Sequence, residues 1–482
     1  MVNSNNIQMK HLIHLNFVSV FLLNGVNAFS QAANWQSVVS DGFGNNCNYG
    51  VIEFEEFNNY LYASTMIKNG SCTEAEIWRS NTGDSGSWRQ LTNFIPPLEP
   101  KGIPSFGKTD LGGGIFWLGA SNTSKGAIIY RTIDGLQWTA ISKRGFGNAA
   151  EIVPAPHMLV FKGSNDSIPY LYAGVGSHGG ASNGQVWRTP YYNTDSLNWE
   201  LLVDFSNIDK AVTLISYFYV WNNKLYFCTD GGAQLWESTD GRTFIQNQGV
   251  GNGFGVSSNY VIASMVDFNG YLYATTTNKK LGGQLWRTAD GTIWESITLN
   301  SFGKNDSISE LRSLRIAFDK IWLTGYTNLN ISKGSPVWYS EDGTNFRQLN
   351  TDGFGNVNNN GPNAVVYGFG NYEYFGGPNS VDGAQVWRLQ LLDEAVDSTA
   401  SSIKNLNAQY GYINSIDDFF LNYKHCDIED MMIINANGQM IYQEKENIEL
   451  IKKKLLYLNP GLYLVKIVDS HAQAKVFKYI KN

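Results

Sequence analysis

Charged side chains are scarce in this 482-residue chain, where Asp, Glu, Lys and Arg together make up 16% of the residues. The formal net charge is −7, and no stretch forms a basic stripe that could follow a phosphate backbone. We therefore expect no nucleic-acid partner. The chain has only 6 histidines and lacks both HExxH and CxxC spacing, so we predict no cofactor and no metal, with calcium left open but without support.

Cysteine is equally scarce, because Cys47, Cys72, Cys228 and Cys426 are too few for a disulfide framework. Cys47 and Cys72 both fall in predicted loops near the start of the repeats described below. A disulfide between them is one interpretation, since oxidation is permitted in an exported protein, and two free thiols are the other. Cys228 lies within an apolar strand and is predicted to be a small core residue.

Long apolar stretches are missing apart from one run over residues 12–23. This run is shorter than the roughly 18 to 20 residues that cross a bilayer. It follows Lys10 and precedes small residues at Ala28 and Ala32, an order that resembles a secretory signal. We predict a signal peptide over residues 1–32, cleaved after Ala28 or Ala32, and no transmembrane segment in the mature chain.

The chain does contain a phrase close to Gly-Gln-Leu-Trp-Arg-Thr-x-Asp-Gly-x-x-Trp, repeated at intervals of 49 to 57 residues. The aromatic anchors of the repeats are Trp78, Tyr130, Trp187, Trp236, Trp286, Trp338 and Trp387. A period of this length, rich in strand formers and turn residues, is typical of four-stranded blades arranged around an axis. The sequence therefore predicts an all-β fold, with a seven-bladed β-propeller over residues 33–392.

The fifth repeat indicates how one blade folds. Its predicted strands, from inner to outer, span residues 260–268, 271–274, 283–287 and 293–297. Asn269-Gly270 joins the first pair and Asp290-Gly291 the last pair. Asn-Gly and Asp-Gly between alternating runs signal tight hairpins, because these residues tolerate a positive φ. Each blade is therefore predicted to be a four-strand meander.

The seventh repeat lacks an outer strand of its own. No Asp-Gly turn follows Trp387-Arg388, whereas Trp35-Gln36-Ser37-Val38 near the amino end matches the outer strands of other repeats. We predict that this N-terminal strand completes the seventh blade and closes the propeller, which leaves no open sheet edge.

A turn of the form Ser/Thr-x-Asp-Gly-x-x-Trp/Phe recurs and resembles the Asp-box of sialidase-type propellers, although that pattern usually has one more residue between Asp and Gly. Its four copies begin at Thr132, Ser238, Thr288 and Ser340, and Ser80/Asp84/Gly86/Trp88 is a looser fifth. An Asp just before Gly can accept N–H groups of the turn, so a structural role is predicted. A scaffold role is also predicted for the repeated arginines beside the anchors, which are Arg79, Arg131, Arg188, Arg287 and Arg388.

A second phrase, Gly-Phe-Gly-Asn or a close variant, follows the outer strands on the predicted crossovers between blades. Its copies begin at Gly42, Gly145, Gly253, Phe302 and Gly353. With the Leu-Tyr-Ala strand and the Trp-Arg turn, it resembles uncharacterised repeat proteins of bacterial cell surfaces over Trp35 to Arg388, which implies a fold and no activity. One interpretation is a tight glycine crossover with Phe wedged between blades, and the other is a circle of ion or sugar sites.

The repeat ends before a different domain, predicted over residues 405–482 behind a linker at 393–404. Two of its predicted strands flank an Asn437-Gly438 turn, and a third, at 458–467, contains Pro460-Gly461. The domain ends in a basic strand at 475–481, and together these strands predict a small β-sandwich. The order of these motifs resembles the type A sorting domain of type IX secretion, although the Asn-Pro that often opens that family is missing. The resemblance implies the outer-membrane secretion machinery as a partner, followed by removal of the tail and release or surface attachment.

Propellers usually bind ligands on the face formed by the crossovers and by the loops between second and third strands. Here those loops are rich in Asn, Ser, Thr, Gly and Lys, which suits hydrogen bonding to neutral polar ligands such as glycans. Polar loops without a function are the alternative. The candidate binding residues are Asn45, Asn148, Asn356, Lys125, His178, Lys279 and Asn328.

A sialidase-like glycoside hydrolase would need three non-equivalent arginines around a carboxylate, a Tyr–Glu nucleophile pair and an Asp acid. Arg312 and Arg315 stand alone on one inner strand, and the carboxylates off the repeat are scattered, so no catalytic residue is assigned. We predict a secreted or surface-attached binding or adhesion propeller, exported across both membranes of a Gram-negative-type envelope, that recognises a glycan or surface protein. A sialidase-like hydrolase and a structural surface-layer component are the alternatives.

Overall fold

The computed structural model describes most of the repeat region and part of the tail. The described residues are 34–68, 72, 75–91, 105–108, 114–121, 126–148, 157–177, 183–327, 333–361, 364–391, 411–413, 428–435, 440–444, 450–451, 454–455, 458, 461–469 and 474–481. The predicted signal peptide over 1–32 and linker over 393–404 lie outside them. Strands and short 3-10 turns make up nearly all of the described regular structure, which is therefore all-β as predicted.

Within the described residues, strands β1 to β28 form seven groups of four antiparallel strands, called units 1 to 7 here. Strand β1 (Gln36–Val39) comes first in the chain and belongs to unit 7. Units 1 and 2 contain β2 (Asn48–Phe57), β3 (Tyr60–Ile67), β4 (Ile77–Ser80), β5 (Arg89–Gln90), β6 (Ser105–Lys108), β7 (Phe116–Ala120), β8 (Ile128–Thr132) and β9 (Thr139–Ala140). Units 3 and 4 contain β10 (His157–Phe161), β11 (Tyr170–Val175), β12 (Gln185–Pro190), β13 (Glu200–Asp204), β14 (Leu214–Trp221), β15 (Lys224–Asp230), β16 (Leu235–Ser238) and β17 (Ile245–Gln246).

Units 5 and 6 contain β18 (Val261–Phe268), β19 (Tyr271–Thr277), β20 (Leu285–Thr288), β21 (Glu295–Thr298), β22 (Ile308–Ala317), β23 (Lys320–Thr327), β24 (Val337–Ser340) and β25 (Arg347–Gln348). Unit 7 contains β26 (Val365–Phe369), β27 (Tyr372–Gly377), β28 (Gln385–Gln390) and β1. In every unit the strands pair in this order, so each unit is the predicted meander. Single residue pairs, Asp230 with Val261 and Thr277 with Glu310, also join units 4, 5 and 6 into one continuous sheet.

The N-terminal strand takes the outer place in unit 7. Strand β1 pairs antiparallel with β28, and Ser37 lies opposite the anchor Trp387. Val38 and Val39 of β1 are buried in one cluster with Val386 of unit 7 and Phe54 of unit 1. The pairing predicted between the N-terminal strand and the last repeat is therefore present.

The first strand of each unit contacts the first strand of the next unit, from β2 through β6, β10, β14, β18 and β22 to β26. Strand β26 in turn contacts β2, so the contacts between first strands return to their starting point. Serine side chains join some of these neighbours. The Oγ of Ser216 donates to the carbonyl of Ile262 at 2.7 Å, and the Oγ of Ser264 accepts the N–H of Leu314 at 3.3 Å.

A tyrosine on the second strand joins many units to the turn between the third and fourth strands of the following unit. Tyr172 of unit 3 donates its hydroxyl to the carbonyl of Gly241 in unit 4 at 2.9 Å. Tyr374 of unit 7 donates in the same way to the carbonyl of Thr82 in unit 1 at 3.2 Å. A Cβ at Gly241 would collide with the Tyr172 hydroxyl, and φ there is +69°, so glycine fits this turn on both counts.

The Gly-Phe-Gly crossovers pack their Phe side chains against the anchor of the unit that follows. Phe254 stacks on Trp286 with ring centroids 4.8 Å apart, and the edge of Trp294 meets it at 5.2 Å. Phe354 stacks on Trp387 at 4.8 Å. Both Phe residues have a φ of +57°, which the flanking glycines help the chain to enter. Phe254 is also buried in one cluster with Tyr226 of unit 4 and Leu272 of unit 5, which fits the interpretation of the Phe as a wedge between units.

The Asp-box-like turns are held by their own side chains, as the structural interpretation predicts. In the turn of unit 4, the Oγ of Ser238 accepts the N–H of Gly241 at 2.9 Å. The Oδ1 of Asp240 accepts the N–H groups of Arg242 and Thr243 at 2.8 Å each. Although burial alone would raise the pKa of Asp240, these N–H groups lower it from 3.8 to about 2.

Acidification is expected to reduce stability through these turns. Above pH 3.8 Asp240 is ionised in both folded and unfolded chains, so its contribution is fully present there. As the pH falls from 3.8 to about 2, the unfolded chain takes up the proton first, and the contribution is lost. We expect Asp240→Asn to flatten the slope of unfolding free energy against pH in this window, as measured by urea titration. An unchanged slope would contradict the assignment.

The turn of unit 1 differs from the prediction of Ser80/Asp84/Gly86/Trp88 as an Asp-box-like turn. The Oγ of Ser80 accepts the N–H of Gly83 at 2.7 Å, just as the Oγ of Ser238 accepts the N–H of Gly241. Gly83, and not Gly86, therefore holds the glycine place of the turn. Asp84 pairs instead with Arg388 of unit 7. An insertion before Trp88 caused the misassignment, because it moved the aromatic residue away from the glycine.

The repeated arginines serve the scaffold, as predicted. Four of them lie over the ring of a second-strand tyrosine with centroid distances of 4.1 to 4.3 Å, in the pairs Arg79–Tyr60, Arg188–Tyr170, Arg287–Tyr271 and Arg388–Tyr372. Arg188 is fully buried and also pairs with Asp166 and Glu200, each at 3.0 Å. Such repetition explains the Trp-Arg phrase without a ligand.

The described part of the tail forms one five-stranded sheet. Its strands are β29 (Gly411–Ile413), β30 (Ile428–Asn435), β31 (Met440–Glu444), β32 (Gly461–Asp469) and β33 (Ala474–Lys481), in the order β29-β33-β32-β30-β31. Strand β29 runs parallel to β33, and the other neighbours are antiparallel. Ile451 and Leu455, in helical residues, pack with Met431 and Val465 of the sheet. Over the described residues this is one sheet covered by a short helical segment, and not the two-sheet sandwich expected from the sequence.

The cysteines of unit 1 are joined, since Cys47 and Cys72 form a disulfide. Cys228 is a buried free thiol beside Met265, with 3.3 Å between the two sulfur atoms, which fits its predicted core role. In the part of the chain that the structure describes, no helix is long and apolar enough to span a membrane.

Candidate functional site

The crossovers lie at the same end of the units as the loops between second and third strands. In four of the five crossovers the first glycine donates its N–H to a carbonyl just before a third strand, and in the fifth Ser301 donates to Gly283 in the same way. Gly42 donates to Ala384 at 3.1 Å, and Gly353 to Ser335 at 3.0 Å. This end is therefore the loop face from which the sequence predicts ligand binding.

Two of the predicted binding residues help to build these loops. Asn45 donates its side-chain amide to Glu76 at 2.7 Å, and Asn356 donates to Asp382 at 3.2 Å. Asn148 and Lys279 are exposed on the same face. Lys125, His178 and Asn328 lie outside the described residues. A ligand role for these seven residues stays a prediction.

A set of buried asparagines that the sequence did not single out pins the crossovers. Asn48, Asn259 and Asn359 each lie six residues after the first glycine of a crossover and donate to its carbonyl at 2.9 to 3.0 Å. Asn259 also donates to Gln284 at 2.7 Å. Because a buried amide that lost these partners would be costly, much of the asparagine content of the loops is structural.

A second group of polar side chains lies among the first strands, where residues from different units meet. The Nη2 of Arg315 on β22 donates to the Oε1 of Glu53 on β2 at 2.6 Å. The two strands are not consecutive, because β26 lies between them in the order of contacts. Arg315 therefore reaches past β26 to a side chain that lies two first strands away. The Arg315 side chain is 34% exposed and that of Glu53 25%, so water reaches this ion pair.

Tyrosines complete this group. The hydroxyl of Tyr367 on β26 donates to the Oε1 of Glu55 at 2.7 Å, and the Arg315 guanidinium lies 5.9 Å from the centre of the Tyr367 ring. Tyr217 on β14 interacts electrostatically with Arg315, with β18 between their two strands. We call Glu53, Glu55, Tyr217, Arg315 and Tyr367 the axial cluster.

The charges of the axial cluster are strongly coupled. Burial raises the pKa of Glu53 to about 7, Arg315 opposes this rise, and Glu55 reinforces it. Burial lowers the pKa of Arg315, but Tyr217 and the two carboxylates outweigh it and raise the pKa above its ordinary value. The guanidinium is thus always charged, while Glu53 titrates close to neutrality.

Glu373 adds a fully buried carboxyl near Arg315. Glu373 is equivalent to Leu61 of unit 1, because each comes directly before the equivalent tyrosine of its second strand, Tyr374 or Tyr62. A carboxyl group therefore takes a position that is apolar in unit 1. Neither of its carboxylate oxygens has a hydrogen-bond partner among the described residues. Burial raises the pKa of Glu373 well above the ordinary value of a carboxyl group, against the opposing charge of Arg315.

The arginines of the chain all lie within the described residues, so their positions can be compared in full. Arg312 and Arg315 are the two on a first strand, and each already has a carboxylate partner, Glu310 at 2.8 Å for Arg312 and Glu53 for Arg315. The others lie on third or outer strands, turns or crossovers, at Arg79, Arg89, Arg131, Arg144, Arg188, Arg242, Arg287, Arg347 and Arg388. A sialidase-like hydrolase would thus lack its clamp of three arginines.

The axial cluster offers both donors and acceptors of hydrogen bonds to a polar molecule. Carboxylates accept, the guanidinium donates, and tyrosine hydroxyls do either. Within the described residues, no three His, Cys, Asp or Glu side chains are grouped closely enough to hold a metal ion. The arrangement is suited to binding an organic ligand through hydrogen bonds.

No family model and no curated protein matches the chain. Among solved structures, polysaccharide lyase Uly1 is 11% identical with a TM-score of 0.42, over 74% of this chain and 99% of the lyase. Phage phi92 endosialidase is 12% identical with a TM-score of 0.42, over 86% of this chain and 74% of the endosialidase. Trypanosoma rangeli sialidase is 13% identical with a TM-score of 0.41, and 71% of this chain matches 59% of that sialidase. Similarities this remote assign neither a ligand nor an activity.

Proposed function

We propose that the seven units form a seven-bladed β-propeller and that this propeller is a binding or adhesion module. The contacts that run from β2 through every first strand and back from β26 to β2 support a closed arrangement. The pairing of β1 with β28 supports closure by the N-terminal strand. In this proposal the propeller spans residues 33–392 and the tail domain residues 405–482.

The axial cluster is the observation that carries a binding function. The repeated arginines, aspartates and crossover phenylalanines are engaged within or between units, so they are accounted for by the scaffold. The axial cluster, in contrast, brings together different residue types from units 1, 4, 6 and 7 in a space that admits water. Polar groups that converge from different units and break the repeat are typical of a ligand site.

A glycan or another polar envelope component is the ligand class that suits this chemistry. Sugar hydroxyls donate to carboxylates and accept from guanidinium and tyrosine groups, and all three are present here. We further propose export through a signal peptide over 1–32 and a type IX sorting domain over 405–482, which would place the propeller outside the cell. Export of the chain truncated after residue 404 should then fail, whereas unchanged export would contradict the sorting role.

The binding proposal is tested with the chain from residue 33, which contains every described residue. We expect a glycan array, together with an array of envelope proteins, to show specific binding. Arg315→Met should weaken that binding about tenfold or more, because a charge-assisted hydrogen bond to the ligand is lost. Arg242→Met is the matched control, since Arg242 pairs with Glu200 on the outer side of unit 3. If the chain bound nothing on the glycan array and nothing on the protein array, the proposal would be contradicted.

A glycoside hydrolase and a structural surface-layer component are the competing functions. The two axial carboxylates and the Tyr367–Glu55 hydrogen bond are the observation that favours a hydrolase. Release of sugar from array-positive glycans would establish turnover, and Glu55→Gln should then abolish it. A surface-layer role would instead show as altered cell-surface texture on deletion of the gene, without loss of ligand uptake.

A further inference from the structure

The charge balance of the axial cluster limits which ligand it can hold. Two carboxylates, Glu53 and Glu55, share the single guanidinium of Arg315. Arg312 does not change the balance, since it pairs with Glu310 on its own strand. The buried Glu373 brings no positive charge. The described cluster therefore carries a net negative charge whenever both carboxylates are ionised.

The groups around this cluster do not reverse the balance. Asp267 on β18 accepts a hydrogen bond from the hydroxyl of Tyr219 on the neighbouring β14. This polar pair adds another carboxylate and no positively charged group. His157 on β10 lies beside Tyr217, with ring centroids 6.4 Å apart, and is the one imidazole on a described first strand. A ligand carboxylate or sulfate would meet one partly occupied guanidinium and several carboxylates, and like charges at such distances repel.

The remaining hydrogen-bonding capacity favours hydroxyl groups. Arg315 donates to Glu53 through Nη2, and no hydrogen bond of its other guanidinium N–H groups is found within the described residues. The carboxylate oxygens have further lone pairs for donors. A neutral sugar can satisfy both, because each hydroxyl donates one hydrogen bond and accepts others.

We infer that the axial cluster binds neutral, hydroxyl-rich sugars and rejects sugars that carry a carboxylate or sulfate. Glu53 and Glu55 accept hydrogen bonds from vicinal hydroxyls of the sugar, and Arg315 donates to a ring or hydroxyl oxygen. This inference rests on the proposed binding function and names the ligand class of the same site. It also separates this chain from sialidases, which take an acidic sugar.

The test compares matched pairs of oligosaccharides that differ only in one acidic group, by calorimetry with the chain from residue 33. It is carried out at about pH 8, because Glu53, with a pKa of about 7, is then mostly ionised. Neutral members should bind at least tenfold more tightly than their uronate or sulfated counterparts. The double variant Glu53→Gln and Glu55→Gln leaves Arg315 as the unpaired charge. It should reverse this preference by at least tenfold, because the guanidinium becomes available to the acidic group.

The controls distinguish a failure of the proposed binding function from a failure of the inferred preference for neutral sugars. Arg242→Met and Glu200→Gln change charges on the outer side of the units and should leave the preference unchanged. Thermal unfolding monitors folding of every variant, and the single Glu55→Gln variant gives a milder change if the double variant is unstable. Binding of no sugar by the unmodified chain would overturn the proposed function. Preferred binding of acidic sugars, or an unchanged preference in folded axial variants, would overturn this inference alone.

Discussion

Arg188→Ala is expected to lower the free energy of unfolding by about 3–5 kcal/mol, the range for breaking a buried ion pair. The Arg188 side chain is fully buried, and its partner Asp166 is only 6% exposed. Truncation would leave that carboxylate without its cation, and it would also remove the contact with Tyr172, which holds unit 4 through Gly241. Chemical denaturation at pH 7 measures the loss.

The repeat itself provides the control for this prediction. Arg287 occupies the equivalent place in unit 5, but its partner Glu295 is 58% exposed. Arg287→Ala should cost only about 1 kcal/mol, because water replaces the lost partner of an exposed carboxylate. Equal losses for the two variants would show that burial of the Arg188 pair does not determine its contribution.

Val39→Asp is expected to destabilise the closure between units 7 and 1 by about 3–5 kcal/mol, because it places an unpaired carboxylate in an apolar cluster. Val39 is 8% exposed and packs in one cluster with residues of both units, among them Phe54 and Val386. Thermal unfolding should show a lower midpoint, and hydrogen exchange should increase first in β1 and β28.

The neighbouring position Ser37 supplies the matched control. Ser37 is exposed on the same strand and lies opposite Trp387, so Ser37→Asp introduces the same charge without burying it. We expect a change within about 0.5 kcal/mol for this surface variant. A large loss for Ser37→Asp, or none for Val39→Asp, would contradict the buried position of β1 between the units.

Much of the fold could be predicted from the sequence because its signals are local. Asn-Gly and Asp-Gly turns set the hairpins, and alternating apolar residues set the strands between them. The missing turn after Arg388 and the spare strand predicted at Trp35–Val38 indicated the β1–β28 pairing, which the structure has at Gln36–Val39. The turn of unit 1 was assigned to the wrong glycine, because a residue pattern alone does not show where an insertion is placed.

The axial cluster could not be predicted in the same way. Arg315, Glu53 and Glu55 are all visible in the sequence as residues off the repeat, but Arg315 and Glu53 are 262 positions apart. Their meeting depends on which strands surround a common space and on the depth of each residue along its strand. Each of three residues pairs with the equivalent aromatic residue of its second strand: Glu55 with Tyr62, Arg315 with Trp322, and Tyr367 with Tyr374. An alignment of the first strands through these partners would have placed Glu55, Arg315 and Tyr367 at one level.

The tail shows the limit set by similar local patterns. Its strands were predicted near their observed places, since Asn437-Gly438 and Pro460-Gly461 are local signals, as the Asn-Gly and Asp-Gly turns of the repeats are. Whether those strands form one sheet or two depends on pairing over long sequence separations, such as β29 with β33. Local patterns carry no information about that pairing.

The central claim is that the first strand of the chain completes the last unit, and a cysteine pair tests it directly. Val39 and Val386 face each other across β1 and β28, so Val39→Cys with Val386→Cys should form a disulfide in the folded protein, detected by peptide mass spectrometry. Val186 occupies the same place as Val386 in unit 3 and pairs there with Val203. Val39→Cys with Val186→Cys should therefore form none. A folded protein that shows no disulfide in the first pair, or equal cross-linking in both pairs, would contradict the account.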